Sequence, residues 1–211
     1  MPRTRKSTAR TTQAASRERR DGPEADAGTR LIEAAFELAV RQRWRHTGMD
    51  EIAQAAKLPL GEAYAQFRTK PCLLAGFTRR IDEAVLAGGE PEGTPRDRLF
   101  ELLMRRFDAL KPHRAALKAI MRDSIGEPTA LFGVPVMLNS MAWMLEAAGI
   151  SAEGWRGRAR ILALAAAYGT VFRTFLDDDS EDLSRTMAAL DRRLDIRPFR
   201  RGGEGATAAA A

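Results

Sequence analysis

From Thr29 onward the apolar residues of this 211-residue chain recur every three or four positions. Nowhere do they alternate with the period of two that a half-buried strand requires. Leu31, Ile32, Ala35, Phe36, Leu38 and Ala39 form the first such stripe. A chain patterned this way buries its apolar surface by packing helix on helix, so the fold class is all-α. Proline, glycine and capping residues cut the pattern into about nine helices, and no internal repeat is evident.

The punctuation sets the expected elements. Residues 1–28 lack a periodic apolar pattern, and Asp21-Gly22-Pro23 breaks any helix, so they read as a basic, disordered arm. Thr29 is expected to cap a first helix that ends near Trp44–Gly48. Two short helices follow: Met49–Ala56, then Leu60–Phe67 opened by Pro59 and turning Ala63, Tyr64 and Phe67 inward. A longer helix runs from about Lys70 to the Gly88-Gly89 stop. After the turn-rich link Gly88–Thr94, Thr94-Pro95 is a cap and first turn for a helix through Leu110. Pro112 restarts another, and Val136–Ala148 and Trp155–Leu176 follow. Asp177-Asp178-Asp179-Ser180 is expected to cap a last helix, Glu181–Leu194, with Arg192 and Arg193 at its negative end. The domains expected are a head at 29–88, a helical body at 94–196 and a disordered tail at 197–211.

Charge narrows the function classes. The net charge of +6 resides in the tails: residues 1–30 net +4, residues 197–211 net +2, and residues 31–196 net zero. With 45% hydrophobic residues the chain can bury a core. The single cysteine, Cys72, excludes an intramolecular disulfide and a four-cysteine zinc site, and it reads as packing. No apolar run of about 18 residues reads as a membrane helix, and the basic start lacks an apolar signal core. A cytoplasmic setting is expected. His46 and His113 are far apart, and no phosphate-binding glycine loop, nucleophile elbow or metal-ligand cluster is present. The acidic run at Asp177–Asp179 reads as a helix cap. No enzyme activity, cofactor or metal is expected.

Three helices within 29–67, the last two joined by a tight turn, fit a helix-turn-helix, and by spacing they fit an ordinary three-helix core equally well. The strings LIEAAFELAVRQRW, TGMDEIAQAAKLP and GEAYAQFRTKPCLLAGF add specific residues: Phe36, Asp50–Ala56, Gly61, Tyr64, Phe67 and Lys70. With these, the stretch resembles the DNA-binding head of the TetR family of transcriptional regulators. The resemblance implies an operator in double-stranded DNA, with Leu60, Gly61 and Glu62 on the recognition helix. It implies that Tyr64 and Lys70 touch phosphates, with Thr47 near the backbone at the start of the second helix. The chain departs from the family where Lys57 replaces a usual glycine, Pro59 a capping serine, Leu60 a polar or basic residue, and Glu62 a threonine. Residues 31–70 net only +1, low for a duplex-binding surface. Arg3, Arg5 and Lys6 precede the first helix as minor-groove arms do, or serve as a solubilising tail.

The body is rich in methionine and aromatic residues. Phe100, Met104, Phe107, Met121, Met137, Met141, Trp143, Tyr168 and Phe172 are either core or, in a subset, the lining of a pocket for a small hydrophobic ligand. RLFELLMRRFDALKPHRAALKAIMRD and WRGRARILALAAAYGTVFRTFLDDDSEDLSRTMAALDRRLDI resemble the C-terminal domain of the ubiquinone-biosynthesis lipid-binding accessory family, Coq-nine. That resemblance implies an isoprenoid or lipid ligand, and a TetR-type fold used without DNA. Either resemblance implies a homodimer built on the last two long helices, with Ala163, Ala166, Ala167, Leu183, Met187 and Leu190 at the interface. The chain after Phe199, RRGGEGATAAAA, has no amphipathic helix, so no stable membrane attachment is expected.

Overall fold

A computed structural model of the chain describes residues 23–124 and 133–195. Among the described residues there are nine α-helices and no strand: α1 Pro23–Arg41, α2 Met49–Ala55, α3 Leu60–Gln66, α4 Lys70–Ala87, α5 Pro95–Leu110, α6 Arg114–Ser124, α7 Gly133–Ala147, α8 Gly154–Leu176 and α9 Ser184–Leu194. Single 3-10 turns, Trp44–His46 and Lys111–His113, precede α2 and α6. The chain divides into two compact units between Leu74 and Ala75, within α4 and well before the Gly88–Thr94 link.

In the first unit α1, α2 and α3 pack on one another. Helix α1 begins at Pro23, six residues ahead of the Thr29 cap expected from the sequence. Proline lacks the N–H that a first helical residue cannot use, and its ring presets the helical φ. The buried stripe then starts one turn early, at Ala27, and continues through Leu31, Ala35 and Ala39. Ile52 and Ala53 of α2 and Ala63 of α3 close on it.

The turn between α2 and α3 takes four residues. Helix α2 ends with Lys57 N–H donating to the Gln54 carbonyl and Leu58 N–H to the Ala53 carbonyl. That geometry forces Lys57 into the left-handed region, φ +55°. Arg30 of α1 donates to the Ala56 and Lys57 carbonyls, satisfying the end of α2 from across the unit.

The second unit packs α8 against α9, α7 and α6, and α5 against α7 and α9. Phe77, Ile81 and Val85 supply the buried face of α4. Thr94 caps α5 as its sequence predicts, accepting from Asp97 N–H while the Asp97 carboxylate accepts from Thr94 N–H. By length and composition α8 could reach across a bilayer, although no apolar run of that length was expected. In this unit it buries Leu164, Ala167, Tyr168, Val171 and Phe175 against its neighbours.

Helix α9 starts at Ser184, three residues later than expected, after Leu183 with φ +54°. Capping nonetheless comes from the aspartate run. The Asp178 carboxylate accepts from the Thr186 N–H at 2.8 Å and hydroxyl at 2.7 Å, and from the Ser180 N–H at 3.2 Å. Asp178 thus binds the third N–H of α9, as an N-cap side chain does, from eight residues away. Burial would raise its pKa, but the hydrogen bonds from Ser180 and Thr186 outweigh that and hold it at about 2.

Candidate functional site

Helix α3 is pinned inward by Ala63, fully buried, and turns its other face to solvent. Leu60 is 56% and Tyr64 59% exposed, and Gly61 and Glu62 are exposed beside them. Tyr64 therefore points outward, whereas its spacing placed it on the inward face. The resemblance gave the right side, since burial of Ala63 rotates the helix. Arg68, just past α3, holds its guanidinium 5.9 Å from the Tyr64 ring centroid. Nothing in the motif spacing singled out Arg68.

The other two residues expected at the DNA backbone are held differently. Thr47 is 2% exposed, and its hydroxyl donates to the Arg43 carbonyl at 3.3 Å and accepts from Gln42 Nε2 at 3.2 Å. It braces the turn before α2 instead of presenting a donor to solvent. The Glu51 carboxylate accepts the Gly48 N–H at 3.1 Å, occupying a donor at the start of α2. Lys70 donates to the Trp44 carbonyl at 2.7 Å and lies 4.7 Å from the Trp44 ring centroid. Its ammonium thereby ties the start of α4 to the 3-10 turn. Arg43, Arg45 and His46 are exposed on that turn. Arg3, Arg5 and Lys6 lie outside the described residues.

Four aromatic residues of the body, from α5 and α8, form one continuous stack. Phe107 lies parallel to Tyr168 with centroids 5.1 Å apart, and Phe172 and Phe175 extend the series. Phe107, Met141 and Tyr168 are buried, while Phe100, Met104, Met137 and Phe172 are half-buried. Met121 and Trp143 are exposed, so the nine side chains do not share one enclosure.

Beside the stack is a buried polar cluster that no sequence signal announced. Arg106, 2% exposed, pairs with Asp82 and donates to the Tyr168 hydroxyl at 3.1 Å. Ser140 donates to the same Asp82 oxygen at 2.9 Å. Four helices, α4, α5, α7 and α8, meet in this cluster. Burial raises the Tyr168 phenol above its ordinary value, and the adjacent Arg106 partly opposes that.

The expected interface residues also separate. Ala166 and Met187 are exposed and Ala163 is half-buried, but Ala167, Leu183 and Leu190 are enclosed within the unit. The face of α8 left uncovered carries Trp155, Leu162, Ala166 and Gly169. The Asp177–Asp179 run has protein partners: Lys118 for Asp177 at 2.6 Å, Ser180 and Thr186 for Asp178, and Arg114 for Asp179 at 3.3 Å. His113 sits edge-on to Phe77 at 5.1 Å. Cys72 is exposed, not packed, with Thr69 Oγ1 at 3.2 Å from its sulfur.

No protein-family model matches the sequence, and no curated protein aligns with it. The fold does match solved structures. A TetR transcriptional regulator from Nitrosomonas europaea superposes with a TM-score of 0.65 at 23% identity, over 79% of this chain and 95% of that one. One from Rhodococcus sp. RHA1 gives 0.55 at 24% identity, over 82% and 98%. The transcriptional regulator FadR from Bacillus subtilis, solved in complex with stearoyl-CoA, gives 0.50 at 14%, over 79% and 97%. The chain therefore has the fold of TetR-family regulators.

Proposed function

We propose that this chain is a homodimeric, DNA-binding transcriptional regulator, a repressor whose affinity for its operator is lowered by a hydrophobic ligand in the body. The observation that carries this reading is the outward face of α3, with Leu60, Gly61, Glu62 and Tyr64 exposed at the end of a tight four-residue turn. A helix presented this way enters a major groove, and a tyrosine hydroxyl on it is a phosphate donor that positions without reading sequence. Leu60 contributes apolar contact to a thymine methyl, and Glu62 accepts from a cytosine amino group. Arg68, Lys70, the exposed Arg43 and Arg45, and the basic arm supply the attraction that the near-neutral head lacks.

The uncovered stripe Trp155–Leu162–Ala166–Gly169 on α8, with Met187 of α9, supports dimerisation through the last two long helices. An apolar ligand would insert in the body, with the half-buried Phe100, Met104, Met137 and Phe172 as its candidate lining. The FadR complex with stearoyl-CoA is a precedent for an acyl ligand on this fold. Ligand binding then shifts the dimer between two states of different operator affinity. The reading is non-enzymatic and cytoplasmic. None of the matches above supports the alternative role in ubiquinone biosynthesis.

The test is a gel shift on DNA from upstream of the protein's own gene, across a salt series. The expected result is a sequence-preferring complex that weakens steeply with salt. Tyr64→Phe should weaken binding several-fold on every sequence, and removal of residues 1–22, which leaves α1 intact, should flatten the salt slope. Absence of any sequence-preferring complex would overturn the reading.

A further inference from the structure

The aromatic stack is not the only place in the second unit that can hold a small molecule. A cavity of about 510 Å³ lies where the end of α4, the start of α5 and the end of α7 converge. That volume is within the usual range for small-molecule sites. None of the aromatic or methionine residues considered above lines it.

Its walls are built, not incidental. Arg105 donates to the Gly88 and Gly89 carbonyls at 3.0 and 2.8 Å, fixing the loop that forms one side. Helix α7 ends on the other side with Gly149 N–H bonded to the Glu146 carbonyl and φ at +76°. A Cβ at Gly149 would lie 2.9 Å from Arg98 Nη2, so the glycine both permits the turn and leaves room for the guanidinium. Leu86, Pro91 and Leu102 supply apolar wall, and Leu86 is 39% exposed.

Arg98 is the unsatisfied element. Its Nε is buried with no hydrogen-bond partner among the described residues, and none of its nitrogens has a carboxylate within ion-pair distance there. A buried donor without an acceptor costs on the order of 1–3 kcal/mol, more when charged. Two carboxylates line the same cavity, yet neither pairs with Arg98. Glu146 is turned away by accepting the Ala152 N–H at 2.6 Å, and Glu90 is exposed.

We propose that this cavity binds a small amphipathic monocarboxylate. Its carboxylate accepts from the two terminal Arg98 nitrogens in the bidentate manner that guanidinium favours. Its apolar body covers Leu86, Pro91 and Leu102. Glu90 and Glu146 lie on the same lining, so every further negative charge on a ligand adds repulsion, and a phosphate dianion is disfavoured relative to a monocarboxylate. An amine would be attracted to the glutamates but would leave the Arg98 donor unmet. The site goes beyond the regulator reading, because it is separate from the aromatic stack and binding there is measured without DNA.

The test is calorimetric titration of the full chain with sodium octanoate, octyl phosphate and octylamine, repeated on Arg98→Gln and Arg98→Lys. The wild type should bind octanoate at least tenfold more tightly than either other probe. Arg98→Gln should lose tenfold or more, and Arg98→Lys, which keeps the charge without the fork, should fall between. Failure of the wild type to bind octanoate, or preference for the phosphate or amine, would overturn the proposal whatever the variants do. Unchanged octanoate affinity in a folded Arg98→Gln would overturn it too. A failed gel shift together with the expected octanoate ranking would sink the regulator reading and leave this site standing.

Discussion

Removing one partner from the Asp82–Arg106 pair should be among the most damaging single changes in this protein. Arg106 is 2% exposed and Asp82 is largely covered, and the pair shares its atoms with Ser140 and Tyr168. Asp82→Asn leaves a buried guanidinium without a counter-charge. Arg106→Met leaves a carboxylate with only the Ser140 hydroxyl. Breaking a buried pair from one side costs roughly 3–5 kcal/mol. Asp82 retains some contact with water, so about 2–4 kcal/mol is expected for each change. Against a total stability of about 5–15 kcal/mol, that is a large fraction. The double variant should cost much less than the sum, because it strands no charge; a coupling of about 1–3 kcal/mol is expected. The assay is urea unfolding followed by circular dichroism, at one fixed protein concentration so that dimerisation does not enter the comparison. Single variants costing less than about 1 kcal/mol each, with additive effects, would refute the reasoning, since that is how a solvent-screened surface pair behaves.

Two other changes test local features. Lys57→Gly relieves a left-handed residue at the end of α2; the strain is about 1–2 kcal/mol and glycine's extra unfolded-state freedom returns part of it, so a net gain of about 0.5–1 kcal/mol is expected in the same assay. Lys57→Ala should give no such gain, and equal behaviour of the two would contradict the assigned conformation. Asp178, depressed to about 2 from an ordinary 3.8, contributes stability that is complete above pH 4 and is lost as pH falls toward 2. Asp178→Asn should therefore be less stable at pH 7 by at most about 2 kcal/mol, with the gap closing in acid. A gap independent of pH would mean that packing, not charge, explains the loss.

Much of the helical outline was legible because its signals are local. Thr94-Pro95 announced α5 and Lys70–Ala87 set α4, since capping and glycine stops act within a few residues. The start of α1 was missed because Pro23 reads equally as a breaker and as a first helical residue. Which way α3 faces was not local: burial of Ala63 turned Tyr64 outward, and Thr47 is buried separately by its bonds to Gln42 and the Arg43 carbonyl. The same holds for Ala167, Leu183 and Leu190, whose spacing fits an interface and a core alike.

By itself, then, the order of residues determined an all-helical chain, most helix limits, a tight turn between two short helices, and a neutral body with its charge in the tails. Those follow from backbone hydrogen bonding, capping and periodicity over a handful of positions. Only the tertiary structure decided that Asp178 caps a helix eight residues on, that Lys70 braces Trp44, that Arg106 finds Asp82, and that the Arg98 Nε is buried with no hydrogen-bond partner among the described residues. Each depends on residues brought together from distant parts of the chain. The worth of a charged side chain is set by the dielectric and the partners it meets there, which sequence spacing does not encode.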